Sequence, residues 1–466
     1  MRREESYKPF ALIISTTKAM SPYQMNQGKL AKKIATAKNF ENKKSVKKMS
    51  KDIMEDTSVT INSQFLAKTK ITIIGGGGIA AIELPRLARE LRRNGAEIQF
   101  CITENCLKFI GIESLRWASR NEVIINPSGL AEHICTSDAI VVSPATADLI
   151  AKASNGICSD GATTLLQSAL GQKKTIIFCP TMHESLSNSP FVDENKEKLK
   201  NIEGVYFTAP RQEEGKDKLP APDILAINIA HIINKRKLFP DNSKKVLITL
   251  GGTRALLDPV RCITNLSTGN LGIEVAKVFY AMGIDLTLLT ASTTKDVPKY
   301  ENIQCINLPN YSDMFEYLKE INENKYNGII HLVAGSDFIP KSLSHSKISS
   351  KNETLRIDLV KAEKIIDLEN LAKIPYKAGA KLTSGDQEDG LKVSYELIRK
   401  KNLDALLWSS SNTAWDKKAE HSGVFIHIDD GNKKETSVNG KKEMALQFYF
   451  SFINFLENRK LKKQKA

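Results

Sequence analysis

Asp258 to Asn270 reads DPVRCITNLSTGN and gathers a guanidinium, two amides, three hydroxyls and a glycine in one short stretch. A helical pattern follows: Leu271, Val275, Val278, Phe279 and Met282 recur at helix spacing. Ser267, Thr268 and Gly269 therefore fall where the helix N-terminus should be. The first backbone N–H groups of a helix lack partners and carry partial positive charge, so small residues there suit a phosphate. Arg261 adds a fixed cation, and Asn265 adds an amide that both donates and accepts. On these residues alone the stretch is either an anion site in an α/β domain or an ordinary helix cap, because Ser and Thr are also favoured N-caps.

The elements around it must hold such a loop at the end of a sheet. Val246–Leu250 is an apolar run ending in Gly251 and Gly252, and Asp285–Thr290 is the next strand after the helix. Further strands are expected at Gly328–Val333, Tyr376–Thr383, Ala405–Trp408 and Val424–Ile428. Helices are expected at Glu388–Lys401 and from Lys441 to Asn458. An earlier block repeats the alternation. Strand Ile71–Ile74 meets four glycines, Glu97–Thr103 ends in a threonine, Ala139–Val142 leads into SPATAD, and Thr175–Cys179 leads into PTMH. Each apolar run ends in a small-residue loop, as a doubly wound sheet requires. The expected organisation is a basic extension over 1–68, an α/β domain over 69–235, a linker over 236–245, a second α/β domain over 246–458 and a basic tail over 459–466.

The string GGTRALLDPVRCITNLSTGNLG resembles the signature of phosphopantothenate–cysteine ligases. The match includes DPVR, the Asn four residues after the Arg, the S-x-G turn and Gly272. It departs at Ala255, where the family has an acid, and at Asn270, where it has a basic residue. The first block resembles the flavin-dependent cysteine decarboxylases through its Gly-rich first turn, Thr103, His133-Ile134, PATAD and PTM. Both halves in this order are similar to the bifunctional enzymes of coenzyme A biosynthesis. The fold so implied is a flavodoxin-like FMN domain followed by a Rossmann-like ligase domain.

For the first half the resemblance implies FMN held by Gly76, Gly77, Thr103, Ser143, Ala145 and Thr146, with His133 as the catalytic histidine. His183 stands where the family has a carboxylate-binding Asn, so it would meet the substrate anion as a protonated ring. The region matching the family's Cys-containing clamp, 204–222, has no Cys. Loss of a proton donor typically costs ~10²–10⁴-fold in rate, so weakened decarboxylation is expected.

For the second half the resemblance implies that the carboxylate of 4′-phosphopantothenate attacks the α-phosphate of CTP, with Mg²⁺ on the pyrophosphate. The amine of cysteine then displaces the nucleotide. ATP in place of CTP stays open. Asn265 would contact the acyl-nucleotide, Lys347 would neutralise phosphate charge, and Asp337 and Lys401 would bind nucleotide. Departures occur at Gly379, Leu397 and DALLWSSSN. The alternatives are a ligase with an altered flavoprotein half, and a non-catalytic flavin- or nucleotide-binding regulator. A homo-oligomer is expected.

The formal charge of +14 points toward nucleic acid until it is located. Residues 1–68 and the stretch from Arg459 to Lys465 carry nearly all of it, and the body between is almost neutral. Such tails read as solvated segments rather than a nucleic-acid surface. Seven cysteines lie mostly beside apolar runs, without metal spacing, and read as buried free thiols in a reducing compartment. No apolar stretch approaches the ~18 residues of a membrane span. A cytoplasmic protein is expected; the Lys-rich N-terminus leaves an organelle transit segment open.

Overall fold

The computed structural model describes residues 57–465, apart from 128, 130, 132, 241–242, 352, 412–420 and 430. The first 56 residues of the expected extension, and the last of the tail, lie outside the described residues.

The first half runs β1 (Lys70–Gly75), α1 (Leu84–Arg93), β2 (Glu97–Ile102), α2 (Ile112–Ser119) and β3 (Val123–Ile124). It continues through β4 (Ala139–Ala145), α3 (Ala147–Ser154), α4 (Gly161–Gly171), β5 (Thr175–Pro180), β6 (Met182–His183), α5 (Glu184–Ser187) and α6 (Pro190–Lys200). It ends with β7 (Val205–Phe207), β8 (Arg211–Glu213), β9 (Lys216–Lys218) and α7 (Pro222–Leu238). The sheet order is β3-β2-β1-β4-β5-β7, with each neighbouring pair parallel. Ile74, Val142 and Phe178 of its central strands are fully buried and pack against Leu149, Ile150 and Leu166 of the covering helices. Near-continuous apolar strands of this kind need helices on both faces.

The second half runs β10 (Lys245–Leu250), β11 (Arg254–Leu256), β12 (Cys262–Thr264), α8 (Asn270–Ala281), β13 (Asp285–Thr290), β14 (Gln304–Asn307), α9 (Tyr311–Lys319) and β15 (Gly328–His331). Then follow β16 (Phe338–Pro340), β17 (Leu359–Lys361), α10 (Glu369–Lys373), β18 (Tyr376–Thr383), α11 (Gln387–Lys401), β19 (Ala405–Ser410), β20 (Ser422–Asp429), β21 (Asn432–Asn439) and α12 (Gly440–Lys465). The main sheet is ordered β14-β13-β10-β15-β18-β19-β20-β21. It is parallel through β19 and antiparallel beyond. Strand order reverses around β1 and around β10. Each reversal leaves a crevice at the carboxyl ends of the strands, where ligands bind in such folds.

Three stretches read as outside the domains are partly built into them. Phe65 and Leu66 of the expected extension are buried, and Leu66 N donates to Asn94 O at 2.8 Å. Helix α7 runs through residues 236–238 of the expected linker, and β10 starts at its last residue. Helix α12 continues to Lys465, through most of the expected tail. Helix α7 also joins the halves: Lys235 Nζ meets both Asp285 oxygens, at 2.7 and 2.8 Å.

Candidate active sites

The first site is built from three loops at the carboxyl ends of β1, β2 and β4. Thr103 follows β2, and its N–H and Oγ1 both donate to Gly75 O, at 3.0 and 3.2 Å. A Cβ on Gly76 would lie 2.5 Å from Pro144 O, and one on Gly77 would lie 2.4 Å from Asn105 Cβ. Only glycine lets these backbones approach so closely. Ser143 and Ala145 are buried, and Ser143 Oγ makes no hydrogen bond. Thr146 caps α3, its hydroxyl accepting Leu149 N–H at 3.3 Å. Beside these loops a cleft of about 540 Å³ is lined by Thr103, Asn105, Pro127, Asp148, Cys158 and Asp160 among others.

The two histidines are placed differently. His133 lies in an exposed turn beyond Pro127, on the segment that borders the cleft. His183 is exposed at the start of α5, where Nδ1 accepts Ser185 N–H at 3.3 Å and sits 2.9 Å from Ser185 Oγ. Its strand pairs with Lys216–Lys218, so the hairpin β8–β9 lies directly against it. That hairpin falls within 204–222, the stretch without a cysteine. The reading of all seven thiols as buried needs correction. Cys101, Cys106, Cys135 and Cys179 are buried, whereas Cys158, Cys262 and Cys305 are exposed. Burial pushes the Cys101 and Cys179 thiols up to about 12, which keeps them protonated.

The second site sits at the reversal around β10. Gly251 and Gly252 leave β10, Ser292 and Thr293 leave β13, and Ala334 to Ser336 leave β15. Gly252 N donates to Ser292 O at 3.0 Å, and Thr253 N donates to Ala334 O at 3.1 Å. The N-cap position before α8 is Gly269, at φ +71°, which supplies no side-chain cap. Thr268 Oγ1 accepts Asn270 N–H at a long 3.5 Å, and the rest of the opening turn of α8 is left for another partner. A Cβ on Gly269 would lie 2.6 Å from Thr293 Cγ2. Asn270 Oδ1 and Ser292 Oγ are buried there without hydrogen bonds.

Asn265 Nδ2 donates to Ala334 O at 3.2 Å and Gly335 O at 2.9 Å. Arg261 is not a free cation. Its Nη1 binds Asp258 Oδ2 at 2.7 Å and Ile348 O at 2.9 Å. Lys347 is the exposed residue just before Ile348. Asp337 is exposed after β15, and its backbone carbonyl accepts Ala362 N–H. The loops therefore bring Arg261, Asn265, Lys347 and Asp337 to one edge of the sheet.

Lys401 is not among them. It ends α11, which runs back from the carboxyl edge, and it pairs with Asp367. With Lys377 and Ala378 at the start of β18 it lines a small cavity at the opposite edge. A spacing match to the family motif carries no information about which end of the sheet a helix residue reaches.

Sequence reasoning passed over Asp258. Its side chain has 0% exposure and accepts Val260 N and Arg261 N, each at 2.7 Å, and Ile348 N at 3.0 Å. Burial alone would raise its pKa. The donors from Ile348, Val260 and Arg261 overcome that and bring it down to about 2. Its place at the head of DPVR was the available signal.

Two doubly wound α/β halves, each with small-residue loops converging where strand order reverses, define a tandem α/β protein with two separate crevices of the kind that takes ligands in such folds. The Flavoprotein family model matches residues 59–234, and the model of the DNA/pantothenate metabolism flavoprotein C-terminal domain matches 242–454. The coenzyme A biosynthesis bifunctional protein CoaBC of Thermococcus kodakarensis is 34% identical, over 82% of this chain and 94% of its own length. That of Methanocaldococcus jannaschii is 32% identical, over 77% and 88%. The DNA/pantothenate metabolism flavoprotein of Streptococcus pneumoniae, a solved structure, aligns at TM-score 0.40 and 24% identity, over 44% of this chain and 97% of its own. The chain belongs to the family of bifunctional coenzyme A biosynthesis proteins, which join a phosphopantothenoylcysteine decarboxylase to a phosphopantothenate–cysteine ligase.

Proposed function

We propose that the second half activates 4′-phosphopantothenate with a nucleoside triphosphate, CTP by family resemblance, and joins it to cysteine. The first half then decarboxylates the product to 4′-phosphopantetheine with FMN. The observation that carries this reading is the uncapped start of α8 at Gly269, with Asn265 and Lys347 on loops at the same edge. Amide formation from a carboxylate needs an activated phosphoanhydride, and the site must gather phosphates without repelling them. Open N–H groups and the Lys347 ammonium supply positive potential there. Mg²⁺ arrives on the nucleotide, since a bridged pyrophosphate needs few protein ligands.

The first site fits FMN. Gly76 and Gly77 admit no side chain, and Ser143 Oγ is a buried hydroxyl without a hydrogen bond. Gly76, Gly77, Thr103, Ser143, Ala145 and Thr146 would hold it, and the bound flavin supplies electron acceptance. His133 serves as catalytic histidine on the segment bordering the cleft, and His183 meets the substrate carboxylate. With His183 in place of Asn and no cysteine on the β8–β9 hairpin, decarboxylation is the slower activity. We read the assembly as a homo-oligomer.

The experiment supplies phosphopantothenate, cysteine, Mg²⁺ and either CTP or ATP, and measures pyrophosphate, amide product and carbon dioxide. Pyrophosphate and amide with at least one nucleotide are expected. A folded protein, inactive with both, overturns the ligase assignment. A colourless protein that takes up no FMN on titration overturns the flavin assignment.

A further inference from the structure

Ile348 is gripped from both sides by residues 87 and 90 positions earlier in the chain. Asp258 Oδ2 accepts its N–H at 3.0 Å, and Arg261 Nη1 donates to its carbonyl at 2.9 Å. The same Arg261 nitrogen donates to Asp258 Oδ2 at 2.7 Å, closing a three-membered clamp. Asp258 Oδ1 meanwhile accepts the N–H groups of Val260 and Arg261, which fixes the turn that carries the clamp. A neighbouring contact extends the grip, with Ser344 N donating to Leu257 O at 3.1 Å. The gripped segment belongs to the long connection between β16 and β17, which has no helix or strand among its described residues. Lys347 is exposed in it and makes no ion pair among the described residues.

We propose that Asp258 is a positioning residue for the ligase reaction: it seats the loop that carries Lys347 against the loop that carries Asn265. Asp258 lies before β11's partner strand and Asn265 just after it, so one hairpin is tied down at both ends. At one end it holds Ile348; at the other, Asn265 holds Ala334 and Gly335. A lysine on a long loop loses much of its electrostatic benefit if the loop must be ordered when substrate arrives. A carboxylate with no solvent exposure and several charge-assisted hydrogen bonds orders it beforehand. The proposal rests on the reading of Lys347 as a phosphate-neutralising residue.

The test uses the full chain and two readouts. Asp258→Asn keeps the size of the side chain but has one acceptor oxygen, so it cannot hold both the turn and Ile348 N–H. In D258N, tryptic cleavage after Lys347 should speed up at least about tenfold, because cleavage follows the population of the open loop. D258N should also lower kcat/KM for amide formation. D258N/K347Q should then be no slower than K347Q, since both changes remove one contribution. Unchanged cleavage after Lys347, or losses that multiply in the double variant, overturns the proposal. Retained flavin absorption reports that the first half is folded. Should D258N fail to fold, Arg261→Gln releases the Ile348 carbonyl and keeps the backbone N–H that Asp258 accepts, and the rate of cleavage after Lys347 decides. If K347Q alone matches the wild type in amide formation, the role of Lys347 fails, and the cleavage rate still decides the clamp.

Discussion

Asn228 Nδ2 in the first half donates to Glu301 Oε1 in the second at 3.0 Å. Its Oδ1 accepts from Tyr280 Oη at 3.1 Å. His231, one helical turn on, stacks on Tyr280 with ring centroids 4.1 Å apart, and Tyr280 stacks on Tyr300 at 4.9 Å. The seam between the halves is thus a buried column of aromatic rings edged by polar groups. Burial holds His231 down to about 4, against the pull of the Tyr280 carbonyl it bonds, so it is neutral at neutral pH.

Glu301 makes this seam pH-dependent. Burial pushes its carboxyl up to about 7, against the lowering effect of Ala209 N–H and Asn228. An unfolded Glu titrates near 4.3. Between these values the folded protein keeps a proton that the unfolded chain has lost, so stability falls as pH rises through the window. Glu301→Gln removes that slope. Its gain over wild type should be absent near pH 4 and reach about 1–2 kcal/mol above pH 8, allowing for partial solvent screening. Parallel pH-dependent melting curves for the two proteins would count against this assignment.

The flavin loops give a contrast between neighbouring glycines. Alanine at Gly76 forces a Cβ to 2.5 Å from Pro144 O, whereas alanine at Gly78 meets nothing closer than Thr146 Cγ2 at 3.5 Å. Gly76→Ala should therefore lose bound FMN, and Gly78→Ala should retain it. Flavin absorbance per protein, with circular dichroism as the folding control, distinguishes the two. Equal flavin content would mean that the phosphate approaches a different loop.

Lys401 marks where sequence reasoning reaches its limit. The apolar runs of β1, β4, β10 and β13 are self-evident because fully buried parallel strands leave no polar alternation. The turn before α8 is legible too, since glycine and small hydroxyls announce a close backbone approach. Which edge of the sheet a residue reaches depends on where its helix stops, and spacing in a motif does not encode it. Asp258 is hidden for a related reason: its partner Ile348 is 90 positions away. Phe65 and Leu66 are two apolar residues in a basic stretch, too few to set a period. β21, NKKETSVN, is mostly exposed and has no apolar run to announce it.

Lys401→Gln should accordingly leave the KM for nucleotide within about twofold of wild type. Its ion pair with Asp367 is partly exposed, and such pairs contribute only about 0–1 kcal/mol to stability. Steady-state amide formation at varied nucleotide gives the answer. A large rise in KM would place a nucleotide group at the amino edge of the sheet, contrary to the present geometry.

Asn265 is the most exacting test of the ligase site. The family resemblance assigns its amide to the acyl-nucleotide. In the structure Nδ2 is already donating to Ala334 O and Gly335 O, and the N-cap residue of the helix is a glycine with no side-chain cap. The side chain, exposed as a residue, therefore ties its loop to the end of β15. Asn265→Ala removes both donated bonds. Asn265→Asp does more, because it sets a carboxylate against two carbonyl oxygens and beside the site for a phosphoanhydride. Loss of an oriented group at a charged transition state costs on the order of 3–4 kcal/mol, or ~10²–10³ in rate. Asn265→Ala should fall in that range for amide formation, and Asn265→Asp should fall further. Both should keep their flavin, since the first site lies on the other sheet. If Asn265→Asp is no worse than Asn265→Ala, no anion forms beside this residue. If both match wild type, the acyl-nucleotide binds elsewhere on the edge.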